Sequence, residues 1–462
     1  MVAHYQYIGG DGPIVLLRRE QKGVGEWQES LLQPPAGYHS LVWHSMTTSG
    51  ENHEFIHLLG LVYDDPYLGQ DDALLYYRSS DGGVTWDING VVIDGLGADF
   101  FPSISSLHYS WAQPVGNTLA FTFGFNHFDG LVFKSTDNGT TWQKIVVYDS
   151  PFDPLNVPSV INTFGGCDGT SAIALDSEGK AHVAFGRMLW SRDASTWYYS
   201  PLGTEGLMYW NEDMPALDTT AISSYTLANL QAGGNLIGWI PGDVTIVNGQ
   251  PDYGLGLTSQ PQIAISPTNE LSVVFTSVAP SNMLENYYYR HIYFVRSLDG
   301  GATWSEPYDL NQDMEFSFSE CVFPGLAPLY DDKLHLIFQE DFTPGTGTGF
   351  GLGEENFMRY LQMVLYTTGS EEKSAESVFE VSQNFPNPAH DETQVCVKLS
   401  EACDINIQIS DLAGKVLKTM KGYACTEGQN YISIDIEGLN AGVYSCTVSN
   451  GVQKESRKLI VK

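Results

Sequence analysis

A short segment with Asp near its start and Trp at its end recurs along the chain, and it constrains the fold more than any other feature. Three copies have the full pattern Ser-x-Asp-x-Gly-x-Thr-Trp, at 79–86, 135–142 and 297–304, and a shortened copy spans 191–197. Asp and Gly supply the side-chain hydrogen bonds and positive φ angles of a tight turn, and Trp starts the return strand. The segment therefore predicts a repeated hairpin turn. Its key residues are Asp81 and Trp86, Asp137 and Trp142, Asp193 and Trp197, and Asp299 and Trp304.

The spacing of these turns predicts the size of the repeating unit. The Trp residues at 27, 86, 142 and 197 are 55 to 59 residues apart. A pair of apolar strands joined by a turn precedes each segment, most clearly at 171–185, with copies at 261–275 and 326–338. Four antiparallel strands at such a period are typical of a β-propeller blade. No long apolar period of 3.6 residues occurs, so we expect little helix.

The blade count follows from the innermost strands. Five of these are predicted to start near Ser40, Pro102, Ser171, Pro261 and Phe323. Upstream, Pro13–Arg19 and Trp27–Leu32 have the pattern of the last two strands of another blade. We therefore expect about six blades with the first one incomplete. Residues 198–258 would form a long insertion or a degenerate extra blade, and Gly206–Asp213 within them could finish the third blade.

The turn motif resembles the Asp-box, or BNR repeat, of sialidase-like β-propellers. In that family the box lies on the outer rim, between the third and fourth strands of a blade. The resemblance implies structural roles for the repeated Asp and Trp residues. It covers residues 1–366.

The end of the chain has a different pattern. Residues 367–379 are polar and predict a linker, and residues 380–462 alternate in the manner of a small Ig-like β-sandwich. Gln383–Ala389, Asp411–Lys415, Leu439–Tyr444 and Lys458–Lys462 resemble, in order, the motifs of the type A sorting domain of the type IX secretion system. The resemblance implies a Bacteroidota protein that contacts the type IX machinery through residues 380–462. It also implies a final location outside the cell or on its surface.

Such export requires a signal peptide. The first seven residues lack the basic region and apolar run of a signal peptide. We therefore expect the signal peptide, and the first strands of the incomplete blade, to lie upstream of this chain.

The net charge of −33 narrows the choice of partners. Residues 1–370 carry −29 of it and residues 371–462 carry −4. Nucleic acids and anionic lipids need basic surface, so neither is an expected partner. No apolar run reaches the roughly 20 residues of a membrane helix. The six cysteines fit either disulfides or buried thiols, because spacing alone does not determine their pairing.

Candidate ligand-binding residues lie just before the predicted innermost strands. A propeller usually binds its ligand at the end of the central channel where these strands begin, here called the mouth. The residues in question are His39, Asp99, Asp168, Gln260 and Glu320. The three carboxylates could act as general acid and base on a glycosidic bond, or hold Ca²⁺ together with backbone oxygens. Alternatively, they are turn residues without a ligand.

Sialidase activity is disfavoured. Sialidases bind the carboxylate of their sugar with three arginines at the mouth, because guanidinium groups match it bidentately. None of the eight arginines in residues 1–366 precedes an innermost strand: Arg18, Arg19, Arg78, Arg187, Arg192, Arg290, Arg296 and Arg359. Acidic residues at the mouth would also repel sialic acid.

Two functions remain open on the sequence. The first is a non-catalytic binding or scaffold module for a glycan or a surface protein. The second is a glycoside hydrolase of neutral sugars that uses Asp99, Asp168 and Glu320.

Overall fold

The chain forms two compact units that consist almost entirely of β-strands, as seen in a computed structural model. The first unit comprises Met1–Asn311 and Phe318–Leu365, and the second comprises Gln312–Ser317 and Tyr366–Lys462. The structure describes residues 2–5, 12–19, 23–63, 66–104, 109–200, 203–218, 226–239, 255–284, 287–312, 316, 318–330, 333–345, 356–365, 379–382, 384, 386–411, 414–451 and 453–462. Nearly all of the predicted linker therefore lies outside the described residues.

The described part of the first unit contains six sheets that follow one another along the chain. Sheet 1 contains β1 (Val2–Tyr5), β2 (Ile14–Arg18) and β3 (Gln28–Leu32). Sheet 2 contains β4 (Ser40–Ser49), β5 (Phe55–Tyr63), β6 (Leu74–Ser79) and β7 (Ile88–Val91). Sheet 3 contains β8 (Tyr109–Trp111), β9 (Leu119–Gly124), β10 (Gly130–Ser135) and β11 (Gln143–Asp149).

Sheets 4 to 6 continue this order. Sheet 4 contains β12 (Ile161–Leu175), β13 (Ala181–Asp193), β14 (Thr196–Ser200), β15 (Leu207–Asn211) and β17 (Leu236–Ile237), whereas β16 (Leu217–Asp218) pairs with β11 of sheet 3. The helix α1 (Leu227–Ala232) precedes β17. Sheet 5 contains β18 (Thr258–Ile265), β19 (Leu271–Leu284), β20 (Tyr287–Ser297) and β21 (Tyr308–Asp309). Sheet 6 contains β22 (Glu320–Leu326), β23 (Lys333–Asp341) and β24 (Phe357–Val364).

These sheets are the blades of a β-propeller. Within each blade, most neighbouring strands are antiparallel and consecutive in sequence. The first strands of successive sheets pack together: β4 against β8, β8 against β12, β12 against β18, and β18 against β22. The predicted propeller is therefore confirmed. Sheet 1 has three strands in the described residues.

Two local predictions were wrong. The described first strand of sheet 3 is Tyr109–Trp111, and Pro102–Ile104 is not part of it; residues 105–108 lie outside the described residues. Instead, the segment around Pro102 bonds to the loop before β6, since Asp71 N donates to the Pro102 carbonyl at 3.0 Å. Residues 198–258 were expected as an insertion or an extra blade, but their described part supplies β15 and β17 to sheet 4. The expectation that Gly206–Asp213 finishes a blade agrees with β15.

The second unit is a sandwich of two sheets. One contains β25 (Phe379–Val381), β26 (Glu392–Leu399) and β29 (Gly428–Asp435). The other contains β27 (Cys403–Ser410), β28 (Val416–Cys425), β30 (Gly442–Ser449) and β31 (Lys454–Val461). Alternate residues of these strands are buried in one shared core, which includes Val395, Ile407 and Ile434. This alternation is what a two-layer sandwich requires.

The three full Trp-ending segments, called Asp turns below, lie between β6 and β7, β10 and β11, and β20 and β21. In the first, Asp81 Oδ1 accepts from the backbone amides of Val84 and Thr85 at 3.0 and 2.9 Å, and Oδ2 accepts from the Thr85 hydroxyl at 2.7 Å. These bonds, above all that from the Thr85 amide, lower the pKa of Asp81 to about 2. Asp137 and Asp299 bond in the same way.

Two Asp turns also join one sheet to the previous one. Trp142 of sheet 3 packs edge-on against Tyr76 of sheet 2 at 5.2 Å, and Trp304 of sheet 5 packs against Tyr209 of sheet 4 at 5.0 Å. A Cβ atom on Gly139 would lie only 1.9 Å from the Tyr76 hydroxyl oxygen, so only glycine allows this approach.

The shortened copy at 191–197 is not an Asp turn. It forms the β13–β14 hairpin, where Asp193 pairs with Thr196 and only Ala194 and Ser195 form the loop. Both loop residues have positive φ, as two-residue hairpin turns require. The predicted hairpin, with Trp197 in the return strand, is therefore present, but the shortened copy has a different turn, and the structural Asp-box role predicted for Asp193 is not observed.

This difference generates a test of the Asp turn. Asp137→Ala removes the bonds to the Thr140 and Thr141 amides and should lower the free energy of unfolding by about 1–2 kcal/mol. Asp193→Ala is the matched control, with an expected change within about 0.5 kcal/mol. Urea unfolding of the 462-residue chain measures both, and equal losses in the two variants would contradict the assignment.

Candidate functional site

The first strands of four sheets are interrupted by a β-bulge at corresponding places. The pairing register shifts after Val42 in β4, Cys167 in β12, Ser259 in β18 and Val322 in β22. Each bulge holds one residue with positive φ, and these four are called the bulge positions: Trp43, Gly169, Gln260 and Phe323. Bulges redirect side chains, and a left-handed backbone is uncommon for residues other than glycine.

Two aromatic bulge positions are open to solvent. Trp43 is 45% exposed and Phe323 is 39% exposed. The ring of Tyr63, at the end of the adjacent strand β5, lies 5.3 Å from that of Trp43 in an edge-on arrangement. Neither Trp43 nor Phe323 was among the predicted site residues. The sequence feature that could have identified them is an aromatic residue near the start of a first strand, but such residues are also common in ordinary cores.

Asp168 is buried beside the bulge of β12, and its carboxylate is saturated with hydrogen bonds. Oδ1 accepts from the Thr170 amide and hydroxyl at 3.0 and 2.7 Å. Oδ2 accepts from the Gly256 amide at 2.9 Å and the Ser259 hydroxyl at 2.6 Å. Burial raises the pKa of this carboxyl, and the hydrogen bonds oppose that rise. Asp168 thus ties sheet 4 to sheet 5.

Gln260 continues this connection from sheet to sheet. Its backbone amide donates to the Thr170 hydroxyl at 3.1 Å, and its side-chain oxygen accepts from the Phe323 amide at 3.1 Å. One path of side chains therefore links the bulges of β12, β18 and β22. This path fixes the backbone that presents Phe323.

Glu320 is buried at the start of β22, with 1% exposure. Its Oε2 accepts from the Arg290 amide at 2.6 Å. Burial raises the pKa of Glu320 to about 8, although the nearby Arg290 charge opposes the rise. Glu320 is therefore mainly protonated in the folded chain at neutral pH.

His39 and Asp99 lie apart from this path. His39 is exposed, and its carbonyl accepts from the Gly12 amide at 3.0 Å. Asp99 is exposed in the turn that precedes Pro102, ten residues before Tyr109 of β8. The structure links Asp168 to Gln260 through Thr170, whose hydroxyl donates to Asp168 and accepts from the Gln260 amide. It places Glu320 in the same strand as Phe323.

Two arginines of the first unit are almost completely buried. Arg187 and Arg290 are each 1% exposed. Arg290 Nη2 donates to the Gly256 carbonyl at 2.8 Å, and Arg187 Nη1 donates to the Glu205 carbonyl at 2.5 Å. Both lie within apolar stretches of β13 and β20. These apolar neighbours are the sequence feature from which burial of the two arginines could have been predicted. They bond to backbone carbonyls, so this geometry does not resemble three guanidinium groups facing an open mouth.

The described cavities lie at the other ends of the first strands. One, of about 520 Å³, is lined by the turns that join the first and second strands of sheets 3 to 6, including Val115, Leu175, Ile265 and Tyr330. A second, of about 430 Å³, lies between the corresponding turns of sheets 2 and 3.

Within the described residues, no three His, Cys, Asp or Glu side chains converge closely enough to hold a metal ion.

The comparison with protein families assigns the end of the chain. Residues 383–462 match the family described as secretion system C-terminal sorting domain. This tail supports export through the type IX secretion system.

No curated protein matches the sequence significantly. No helix in the described part of the chain is long and apolar enough to cross a membrane.

Several solved structures resemble the chain at low scores. An ulvan lyase, from a new family of polysaccharide lyases, has 10% identity and a TM-score of 0.37, covering 77% of this chain and 76% of its own. Trypanosoma rangeli sialidase has 11% identity and a TM-score of 0.35, covering 83% and 55%. Penicillium chrysogenum α-L-arabinanase has 11% identity and a TM-score of 0.32, covering 88% and 97%. Such scores carry no conclusion about activity.

The buried Glu320 generates a prediction about pH. Its pKa of about 8 compares with about 4.3 for an ordinary glutamate, so the folded chain retains a proton that the unfolded chain releases between these values. The free energy of unfolding should therefore fall as the pH rises through this range. Glu320→Gln should flatten the fall of Tm between about pH 5 and about pH 8.

Asp99→Asn, at an exposed position, controls for the loss of one acidic group. Thermal unfolding of the full chain at several pH values gives the slopes. An unchanged slope in Glu320→Gln would show that this carboxyl does not titrate as described.

Proposed function

We propose that this chain is an exported carbohydrate-binding protein whose propeller holds a neutral glycan against Trp43 and Phe323. The single observation that carries the proposal is the presence of exposed aromatic rings at two of the four bulge positions. Both rings are held by first strands, which meet around the propeller axis. Flat aromatic faces at such a place suit the apolar faces of sugar rings.

The backbone conformation of Trp43 and Phe323 also supports a binding role for their rings. Trp43 has φ of 46° and Phe323 has φ of 52°. For large side chains this conformation costs of the order of 1–3 kcal/mol, and such strain is concentrated at binding and catalytic sites. Of the other two bulge positions, one is glycine, at Gly169, and the other is Gln260, whose side chain bonds to the Phe323 amide.

Charge favours a neutral ligand. The chain has a net charge of −33, which repels anionic sugars over the surface as a whole. The two buried arginines bond to backbone carbonyls, so they support no carboxylate-binding site of the sialidase kind.

Catalysis by the predicted carboxylates is the weaker alternative. A retaining or inverting glycosidase needs two accessible carboxyl groups that flank the scissile bond. Asp168 is 6% exposed with both oxygens bonded, and Glu320 is 1% exposed. Asp99 is exposed but lies in a separate turn. The arrangement therefore supports binding over hydrolysis.

The sorting tail supplies the location. Residues 380–462 would contact the type IX secretion machinery, consistent with the family match over 383–462. We extend this to a Bacteroidota source and to release or display of the Asp-box propeller outside the cell. There it would meet polysaccharides or glycoproteins.

A glycan array tests the site. Trp43→Ala and Phe323→Ala should each weaken binding by about tenfold, which corresponds to about 1.4 kcal/mol of lost stacking. Tyr308→Ala is the matched control, because Tyr308 is a 56% exposed aromatic in the outer strand β21. Circular dichroism confirms folding of each variant. Equal losses in Tyr308→Ala would place the ligand elsewhere, and binding only to proteins would replace the glycan by a protein partner.

The same glycans separate binding from hydrolysis. We expect no release of reducing sugar, with or without added Ca²⁺. Release that disappears in Asp99→Asn, Asp168→Asn or Glu320→Gln would instead establish the hydrolase. Glycan binding that is lost on chelation would assign Ca²⁺ to the site.

A further inference from the structure

Two cysteines of the sandwich lie directly opposite each other on neighbouring strands. Cys403 is the first residue of β27 and Cys425 is the last residue of β28, and the antiparallel register pairs them. Both thiols are free in the structure. The chain places them at the open end of the β27–β28 hairpin, away from the connecting turn.

This juxtaposition follows from the path of the chain between the two sheets. The chain leaves one sheet at Leu399 and enters the other at Cys403, and it returns from Cys425 to Gly428. Leu399 and Gly428 are also paired with each other. The two crossings therefore run side by side, and the cysteines lie where both meet the second sheet.

The geometry suits a covalent link. Directly opposed residues of antiparallel strands have Cα atoms about 4.5–5.5 Å apart, within the range of about 4.4–6.8 Å that disulfides span. Opposed side chains also point to the same face of the sheet. Cys425 belongs to the buried core and Cys403 packs against that core, so both thiols face inward.

The other four cysteines lack such an arrangement, and all six lie in the described part of the chain. Cys396 pairs with Tyr431, and its neighbours Val395 and Val397 take the core-facing positions of β26. Cys446 pairs with Ile409 and Arg457. Cys167 and Cys321 are buried in strands of different sheets of the first unit.

We infer that Cys403 and Cys425 form a cross-strand disulfide when the chain is exported. The sorting tail at 383–462 takes the chain out of the reducing cytosol, and disulfides persist in the compartments beyond it. This modification is independent of the ligand proposed for the propeller.

The chemistry requires an oxidant that itself carries a disulfide. One cysteine thiolate attacks that disulfide, forming a mixed disulfide and releasing one thiolate of the oxidant. The second cysteine thiolate then attacks the protein sulfur of the mixed disulfide and releases the second thiolate. Two protein thiols lose two electrons and two protons, and the oxidant is reduced to a dithiol or to two thiols.

The surroundings make this link slow to form and slow to break. Burial raises the pKa of Cys403, and the nearby acidic residues Glu401 and Asp404 raise it further. Burial also raises the pKa of Cys425. A small thiolate fraction slows the first attack, so efficient oxidation calls for a reactive disulfide oxidant. Once formed, the partly buried link is shielded from reductants.

The test uses the 462-residue chain purified with its thiols reduced and then treated with oxidised glutathione. Thiols are blocked by alkylation, and peptides of the unreduced protein are analysed by mass spectrometry. We expect one linked peptide pair containing Cys403 and Cys425, with the mass of two hydrogens lost. Cys403→Ser and Cys425→Ser should abolish it, and Cys396→Ser is the control that should retain it.

A stability measurement guards against an artefact of oxidation. Reductant should lower the Tm of the oxidised chain by several degrees, since the link constrains the unfolded loop between 403 and 425. The double variant Cys403→Ser/Cys425→Ser should show no such shift. Full alkylation of both thiols after oxidation, a stable glutathione adduct on either, or a different linked pair would overturn the inference.

Discussion

The contact between a buried tyrosine of one sheet and the Asp turn of the next is the interaction on which the propeller depends. Tyr76 and Tyr209 lie under Trp142 and Trp304, and each tyrosine hydroxyl is bonded to a buried histidine of its own sheet, His57 or His182. Burial lowers the pKa of these histidines to about 3 and about 4, so they stay neutral in the folded chain. Sheets 2 and 4 thus each use the Asp turn of the next sheet to cover a buried Tyr–His pair.

A different interaction connects the first strands of sheets 4, 5 and 6. The carboxylate of Asp168 and the side chain of Gln260 carry hydrogen bonds from sheet 4 through sheet 5 to sheet 6. Four donors satisfy Asp168 and offset part of the cost of burying its carboxylate. Because these groups fix the bulged backbone, Phe323 can be held in a strained conformation with 39% of its side chain exposed. Rigid support of this kind favours a binding surface.

Sequence reasoning predicted the propeller because its evidence was local: Asp81, Asp137 and Asp299 recur with their turn partners in one contiguous motif. It failed where the outcome depended on other parts of the chain. Pro102 bonds to a loop from another sheet. At Asp193 the cause was local instead, because this copy is one residue shorter than the full motif and forms a two-residue hairpin. The candidate site was harder to predict from the sequence than the fold. Asp168 was recognised as special, but whether a carboxylate faces solvent or four donors depends on residues as distant as Gly256, and no single stretch contains that information.

The central claim is that strained aromatic residues at the inner bulges form the sugar-binding surface. The most direct measurement is a crystal structure of the propeller with the oligosaccharide that binds best on the array. The account predicts sugar rings stacked on Trp43 and Phe323, with Asp168 still bonded to the Gly256 amide and the Ser259 hydroxyl. A sugar seated in the cavities at the other ends of the first strands, or on the Asp turns of the rim, would contradict it.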